Sequence, residues 1–140
     1  MKKRLRVIAT ISGLFVVFLF VFNTSNTSKK VEALSQNMNM DISKGKLISY
    51  KQEGFVDIET FAKIEYPLYD FNGYLNEQTW KECPLEPALL QDLRMLLERE
   101  DFNEITIENG YYKVIEKDVS LLKVMIYDTN KEILYYYYVR

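Results

Sequence analysis

Asp57 and Glu59 stand two positions apart in an extended-looking stretch, which is the spacing that acid–base chemistry could use. On a strand, residues i and i+2 point to one face, so two such carboxyls can approach within the roughly 5–9 Å that separates the paired acids of glycosidases. That chemistry also needs one carboxyl desolvated, so that it keeps its proton near neutral pH. A solvated strand face carries the same residue types and does no chemistry. The pair therefore supports a small exported hydrolase as an alternative only, and no residue is assigned as catalytic.

What is missing narrows the chemistry further. The 140 residues contain no histidine and a single cysteine, Cys83. This excludes Ser-His-Asp and Cys-His catalysis, imidazole metal sites, an intrachain disulfide and a CxxC redox pair. No Asx-rich loop has the spacing of a calcium-binding EF-hand, so no metal and no cofactor are expected. A lone thiol of this kind reads as a small, partly buried apolar residue.

Tyrosine is the unusual component: there are eleven, four of them consecutive at Tyr135–Tyr138. On a strand, Tyr135 and Tyr137 point one way and Tyr136 and Tyr138 the other. One pair can pack beneath a helix. The other is expected on an open sheet face beside Tyr111 or Tyr112 and Tyr127. Tyr111, Tyr112, Tyr127, Tyr136 and Tyr138 are thus the candidate binding residues, because tyrosine offers rigid contact area and a hydroxyl at low entropic cost. Tyrosine is equally a good strand former whose cross-strand pairs stabilise a sheet.

The elements that position these residues follow from periodicity. From Phe55 to Tyr66, apolar and small residues alternate with Asp57, Glu59, Lys63 and Glu65, with Phe61 as the exception. This predicts a long half-buried strand ended by Pro67, with Lys46–Tyr50 as a short partner. Tyr69 to Trp80 reads as irregular, with one helical turn at most, and Trp80 as a corner of the core. Pro84, Glu86 and Pro87 open a helix whose Leu89, Leu93, Leu96 and Leu97 form one apolar stripe. A strand over Ile105–Glu108 leads into the turn dipeptide Asn109-Gly110. Three further strands are expected over Tyr111–Glu116, Leu121–Tyr127 and Glu132–Val139, joined by short hairpin connections. The fold class is α+β: a three- or four-stranded antiparallel meander with one amphipathic helix packed on one face, preceded by an N-terminal transmembrane or signal helix.

That N-terminal segment sets the location. Lys2, Lys3, Arg4 and Arg6 precede an apolar run from Val7 to Phe22, and a polar Asn/Thr/Ser stretch follows. This is the order of an export signal. Sixteen helical residues span about 24 Å, short of the roughly 30 Å hydrocarbon core. Extending the span to residues 5–25 gives enough length to cross, with Arg6 reaching back to the interface. The basic collar places the N-terminus inside the cell and the C-terminal part outside. An uncleaved anchor is the preferred outcome, and a cleaved, secreted chain is the alternative.

The expected divisions are residues 1–22 as signal-anchor or signal peptide, 23–45 as a flexible tether, and 46–140 as an extracytoplasmic domain. Within the tether, Val31–Gln36 has room for a turn or two of helix. After residue 22 the chain holds 14 basic against 20 acidic residues, a net charge of −6. That balance argues against a nucleic-acid partner and against docking on an anionic membrane surface.

Ile107-Glu108-Asn109-Gly110-Tyr111-Tyr112, Met125-Ile126-Tyr127-Asp128 and Leu134-Tyr135-Tyr136-Tyr137 occur in that order, with Trp80 and Pro84-Leu85 upstream. The pattern, over residues 54 to 139, resembles small exported or single-pass membrane proteins of Gram-positive bacteria. Gly54-Phe55-Val56-Asp57 is thinner in Gly and Asp than that region of the group. The resemblance implies class and location and brings no activity with it. The expected function is a non-catalytic interaction module with a protein partner. The alternatives are the hydrolase named above and a structural envelope component.

Overall fold

The structure, a computed structural model, describes residues 26–54, 58–77, 79–97, 108–118 and 120–140. They fall into two units, Met1–Ser43 and Lys44–Arg140. In the first, residues 26–38 form helix α1, longer than the turn or two expected at Val31–Gln36. Asn39 ends it at a φ of 49°, while Asn39 N–H donates to the Gln36 carbonyl and Met40 N–H to that of Ser35. These two bonds are those of a Schellman cap, with asparagine in its left-handed position. The apolar segment 1–22 lies outside the described residues. Among the described residues no helix is long and apolar enough to cross a membrane.

The second unit is an open antiparallel sheet with helices, an α+β arrangement as expected. Its strands are β1 (Lys46–Glu53), β2 (Glu59–Glu65), β3 (Lys81–Glu82), β4 (Gly110–Asp118), β5 (Leu121–Asp128) and β6 (Ile133–Val139). Helix α2 (Leu68–Leu75) lies between β2 and β3, and α3 (Pro87–Leu97) between β3 and β4. The meander β4-β5-β6 was expected. The full order, β1-β2-β6-β5-β4-β3, has six strands where three or four were expected. The surplus comes from β3, only two residues long, and from β1, which continues past Tyr50 to Glu53. The strand expected over Ile105–Glu108 falls mainly outside the described residues.

The long alternating strand is the first correction. Described as β2, it runs from Glu59 to Glu65, and both of its faces are covered: Phe61 is buried on one, Ala62 and Ile64 on the other. A strand between two neighbours, packed on both faces, loses the polar-out half of its pattern. Phe61, the exception to alternation, is therefore a core residue. It joins Leu89 and Leu93 of α3, Tyr112, Leu122, Val124, Ile126, Ile133, Tyr135 and Tyr137 in one cluster.

Helix α3 begins as its sequence dictates, with Pro87 first and Leu90 N–H donating to the Glu86 carbonyl at 2.9 Å. An Asp92–Lys117 ion pair at 2.7 Å ties its polar side to β4. Helix α2 was not expected at this length. Its Phe71 stacks on Tyr127 of β5, with ring centroids 3.7 Å apart, and meets Trp80 edge-on at 4.9 Å. Trp80 is thus the corner residue the sequence implied. Gly45, just before β1, permits a close approach: a Cβ there would lie 2.6 Å from the Tyr66 ring and 2.8 Å from Ile64.

Candidate functional site

Cross-strand register assigns each candidate tyrosine to a face, because directly opposed residues share one side of the sheet. Tyr136 lies opposite Ala62 on one neighbour and Met125 on the other, and Ala62 lies opposite Tyr50. One row along, Tyr138 is flanked by Thr60 and Lys123, with Gln52 beyond Thr60. Tyr111 and Tyr127 oppose each other on this same face. Tyr112 does not join them. It opposes Ile126 and packs with Leu89 and Leu93 beneath α3.

Burial then separates the set again. Tyr112, Tyr127 and Tyr136 are buried, while Tyr111 and Tyr138 keep partial exposure. An open aromatic face built from all five is therefore not what the fold presents. The physical reason lies in β6, whose residues Ile133 to Tyr137 are all buried because the strand runs through the middle of a sheet covered on both sides. The Tyr127 hydroxyl donates to the Tyr66 carbonyl at 2.9 Å, and burial raises its pKa above the ordinary phenol value. Burial likewise pushes Tyr136 upward, with Tyr138 and Tyr50 adding to the effect. Tyr112 is raised by burial first and then by the charge of Glu86.

What remains accessible is the end of the second face, where β1, β6 and β5 contribute Gln52, Tyr138 and Lys123, with the buried Thr60 of β2 between Gln52 and Tyr138 in the same row. The Tyr50 hydroxyl donates to Gln52 Oε1 at 2.8 Å. The Lys123 ammonium sits 5.5 Å from the centre of the Tyr138 ring and 3.6 Å from Glu116. The row sets amide and ammonium groups beside the Tyr138 ring and its hydroxyl. Sequence reasoning missed Tyr50, Gln52 and Lys123 here. The register break between Leu47 and Ser49 shifts the phase of β1, and no local signal announces that shift. Tyr69, 88% exposed on α2, was also missed.

The groups with chemical potential are held in structural tasks. Asp57 lies outside the described residues. Glu59 faces the α3 side and accepts the Tyr137 hydroxyl at 3.3 Å. The buried carboxylate of Asp128 accepts the N–H groups of Asn130 and Lys131 at 2.9 and 3.0 Å, closing the β5–β6 turn. Burial, followed by the charge of Asp128, pushes the Cys83 thiol up to about 11, so it stays protonated and weakly nucleophilic at neutral pH. Glu77 and Glu86 are each paired with a lysine, at 2.6 Å to Lys113 and 2.7 Å to Lys81. Among the described residues, no group of three or more acidic or thiol side chains is placed to hold a metal ion.

No family model matches the chain, and neither a curated protein nor a solved structure matches it.

Proposed function

We infer that this chain is a non-catalytic extracytoplasmic domain that binds another protein while held at the cell membrane. Residues 5–25 span the bilayer, with the N-terminus inside and the sheet domain outside. The observation that carries the reading is the order of the sequence: a collar of four cations, a sixteen-residue run that is apolar apart from Thr10, Ser12 and Gly13, then a remainder of net charge −6. The site geometry supports binding over catalysis. Its carboxylates serve turns and ion pairs, its thiol is protonated, and the accessible row at Tyr138 offers contact groups with no nucleophile beside a base.

Cell fractionation with mass determination tests the placement. An intact chain in the membrane fraction is expected, with its C-terminal domain digested by protease added outside the cell. A mass lacking the first few dozen residues would replace the anchor with secretion, and an intact chain dissolved in the cytosol would end the reading. Binding is tested by site-specific photocrosslinking from position 116, exposed and directly opposite Lys123. Tyr138→Ala combined with Lys123→Ala is expected to remove the crosslinked partner while leaving the amount of folded chain unchanged.

A further inference from the structure

We propose that β1 is a self-pairing edge, through which two copies of this chain join antiparallel and make one continuous sheet. The inference uses the sheet alone and stands apart from where the domain resides. The two ends of the sheet are unlike. Among the described residues, the two-residue β3 covers only the start of β4 at one end, and at the other β1 presents eight residues with β2 as its neighbour on one side. Its side chains are mostly exposed, and the Lys46 side chain is 81% exposed.

A lysine-bearing, bulged edge generally resists indiscriminate pairing. Here the same features select one register. The pairing with β2 places Lys46, Ser49, Lys51 and Glu53 on one face and Leu47, Tyr50 and Gln52 on the other, with the irregularity at Ile48 between. In a two-fold pair, opposed residues must share a face. Centring the axis on Tyr50 meets this condition along the strand. Lys46 then opposes Glu53 at both ends, Leu47 opposes Gln52, Ser49 opposes Lys51, and Ile48 bulges symmetrically in each copy. Centring on Ser49 sets Lys46 against Lys51, and centring on Lys51 sets that lysine against itself. Like charges directly opposed destabilise a ladder. Centring on Gln52 sets Lys51 against Glu53 but leaves Lys46 to Ser49 with no opposed residue in β1, so the Tyr50 register is the one complementary along the whole strand. The intramolecular partners of these ends, Glu65 for Lys46 at 3.8 Å and Lys51 for Glu53 at 3.2 Å, are exposed contacts that the second copy can share.

The test is a charge swap in the full-length chain, purified in detergent and followed by sedimentation. The wild-type chain is expected to self-associate reversibly. Lys46→Glu or Glu53→Lys turns two attractive pairs repulsive, and each should weaken association on the order of tenfold or more. The double variant K46E/E53K should recover most of the loss, which mere misfolding of a single variant would not allow. A positional readout uses a Cys83→Ala background with a new cysteine at Tyr50 or at Gln52. Mild oxidation should link copies through position 50 far more readily than through position 52. A chain that stays monomeric, a double variant no better than either single one, or equal linking at both positions overturns the proposal. Crosslinks from position 50 to an unrelated polypeptide and none between copies would also overturn it.

Discussion

Glu132 does two jobs from one backbone position, and the two can be separated. It sits between β5 and β6 at a φ of 53°. Its carbonyl accepts the Tyr66 N–H at 2.9 Å, and its carboxylate accepts the Leu68 N–H at 3.1 Å, in the first turn of α2. A carboxylate on an otherwise unsatisfied helix N–H acts as a cap supplied from elsewhere in the chain, worth about 1 kcal/mol. The left-handed backbone works against it, costing a residue with a Cβ about 1 kcal/mol relative to glycine. Glu132→Ala should therefore destabilise the domain by about 1 kcal/mol, since it loses the cap and keeps the strain. Glu132→Gln keeps an acceptor oxygen and should cost about half as much. Glu132→Gly loses the cap and relieves the strain, and should fall within about 0.5 kcal/mol of wild type. Urea unfolding followed by Trp80 emission reads all three, because Trp80 packs on Phe71 within α2. Amide exchange adds a local readout. The Leu68 N–H should lose protection in Ala and Gly, while the Tyr66 N–H, bonded to a backbone carbonyl, keeps it. If Glu132→Ala matches wild type and Leu68 stays protected, the capping argument is wrong.

Two more predictions concern groups whose burial is clear from the fold. Cys83 holds its proton to about 11 against an ordinary 9.0, and burial holds Tyr127 and Tyr136 above the ordinary 10.0. The folded state binds these protons more tightly than the unfolded one, so their contribution is complete below about pH 9 and is lost as pH rises through the folded values. The urea midpoint should fall steadily above about pH 9, and an unchanged midpoint there would contradict the burial of these groups. Among the described residues the Tyr136 hydroxyl has no hydrogen-bond partner, so Tyr136→Phe should stabilise the domain by roughly 1 kcal/mol in the same assay. Destabilisation would mean that the hydroxyl makes an interaction the ring alone cannot replace.

Where packing follows from neighbours in sequence, the chain was readable. Leu122, Val124 and Ile126 alternate along β5 and are buried together, and the meander turns fall where the polar connections stand. Pro87 marks the first residue of α3 because a proline there gives up no hydrogen bond. Helix α2 was not readable. Asn72-Gly73 looks like a breaker, and what holds the helix is remote: Phe71 rests on Tyr127, and Leu68 donates to Glu132, 64 residues away. The candidate site failed in part for a related reason. Alternation told Tyr136 from Tyr137 correctly, but it could not say that both faces of β6 are covered. Nor could it show that Tyr112 falls in register with Ile126 and not on the side of Tyr127.

With Tyr66, Tyr112, Tyr127, Tyr135, Tyr136 and Tyr137 buried, little aromatic surface is left for the binding role proposed above. Tyr127 and Tyr137 spend their hydroxyls inside the domain, on the Tyr66 carbonyl and on Glu59. Both side chains are buried. On the binding role proposed above, recognition would fall to the accessible Gln52, Tyr138 and Lys123 and to the edge of β1 beside them. Gln52 belongs to both. A second copy paired along β1 would add a second such row, related by the two-fold axis and offset along the strand, so that each copy presents its Tyr138 and Lys123 on the same face of one wider sheet. A partner gripping both rows would gain from their fixed separation, because its second contact would be intramolecular. Charge reversal at Lys46 would then weaken partner capture as well as self-association, although Lys46 itself lies outside the row.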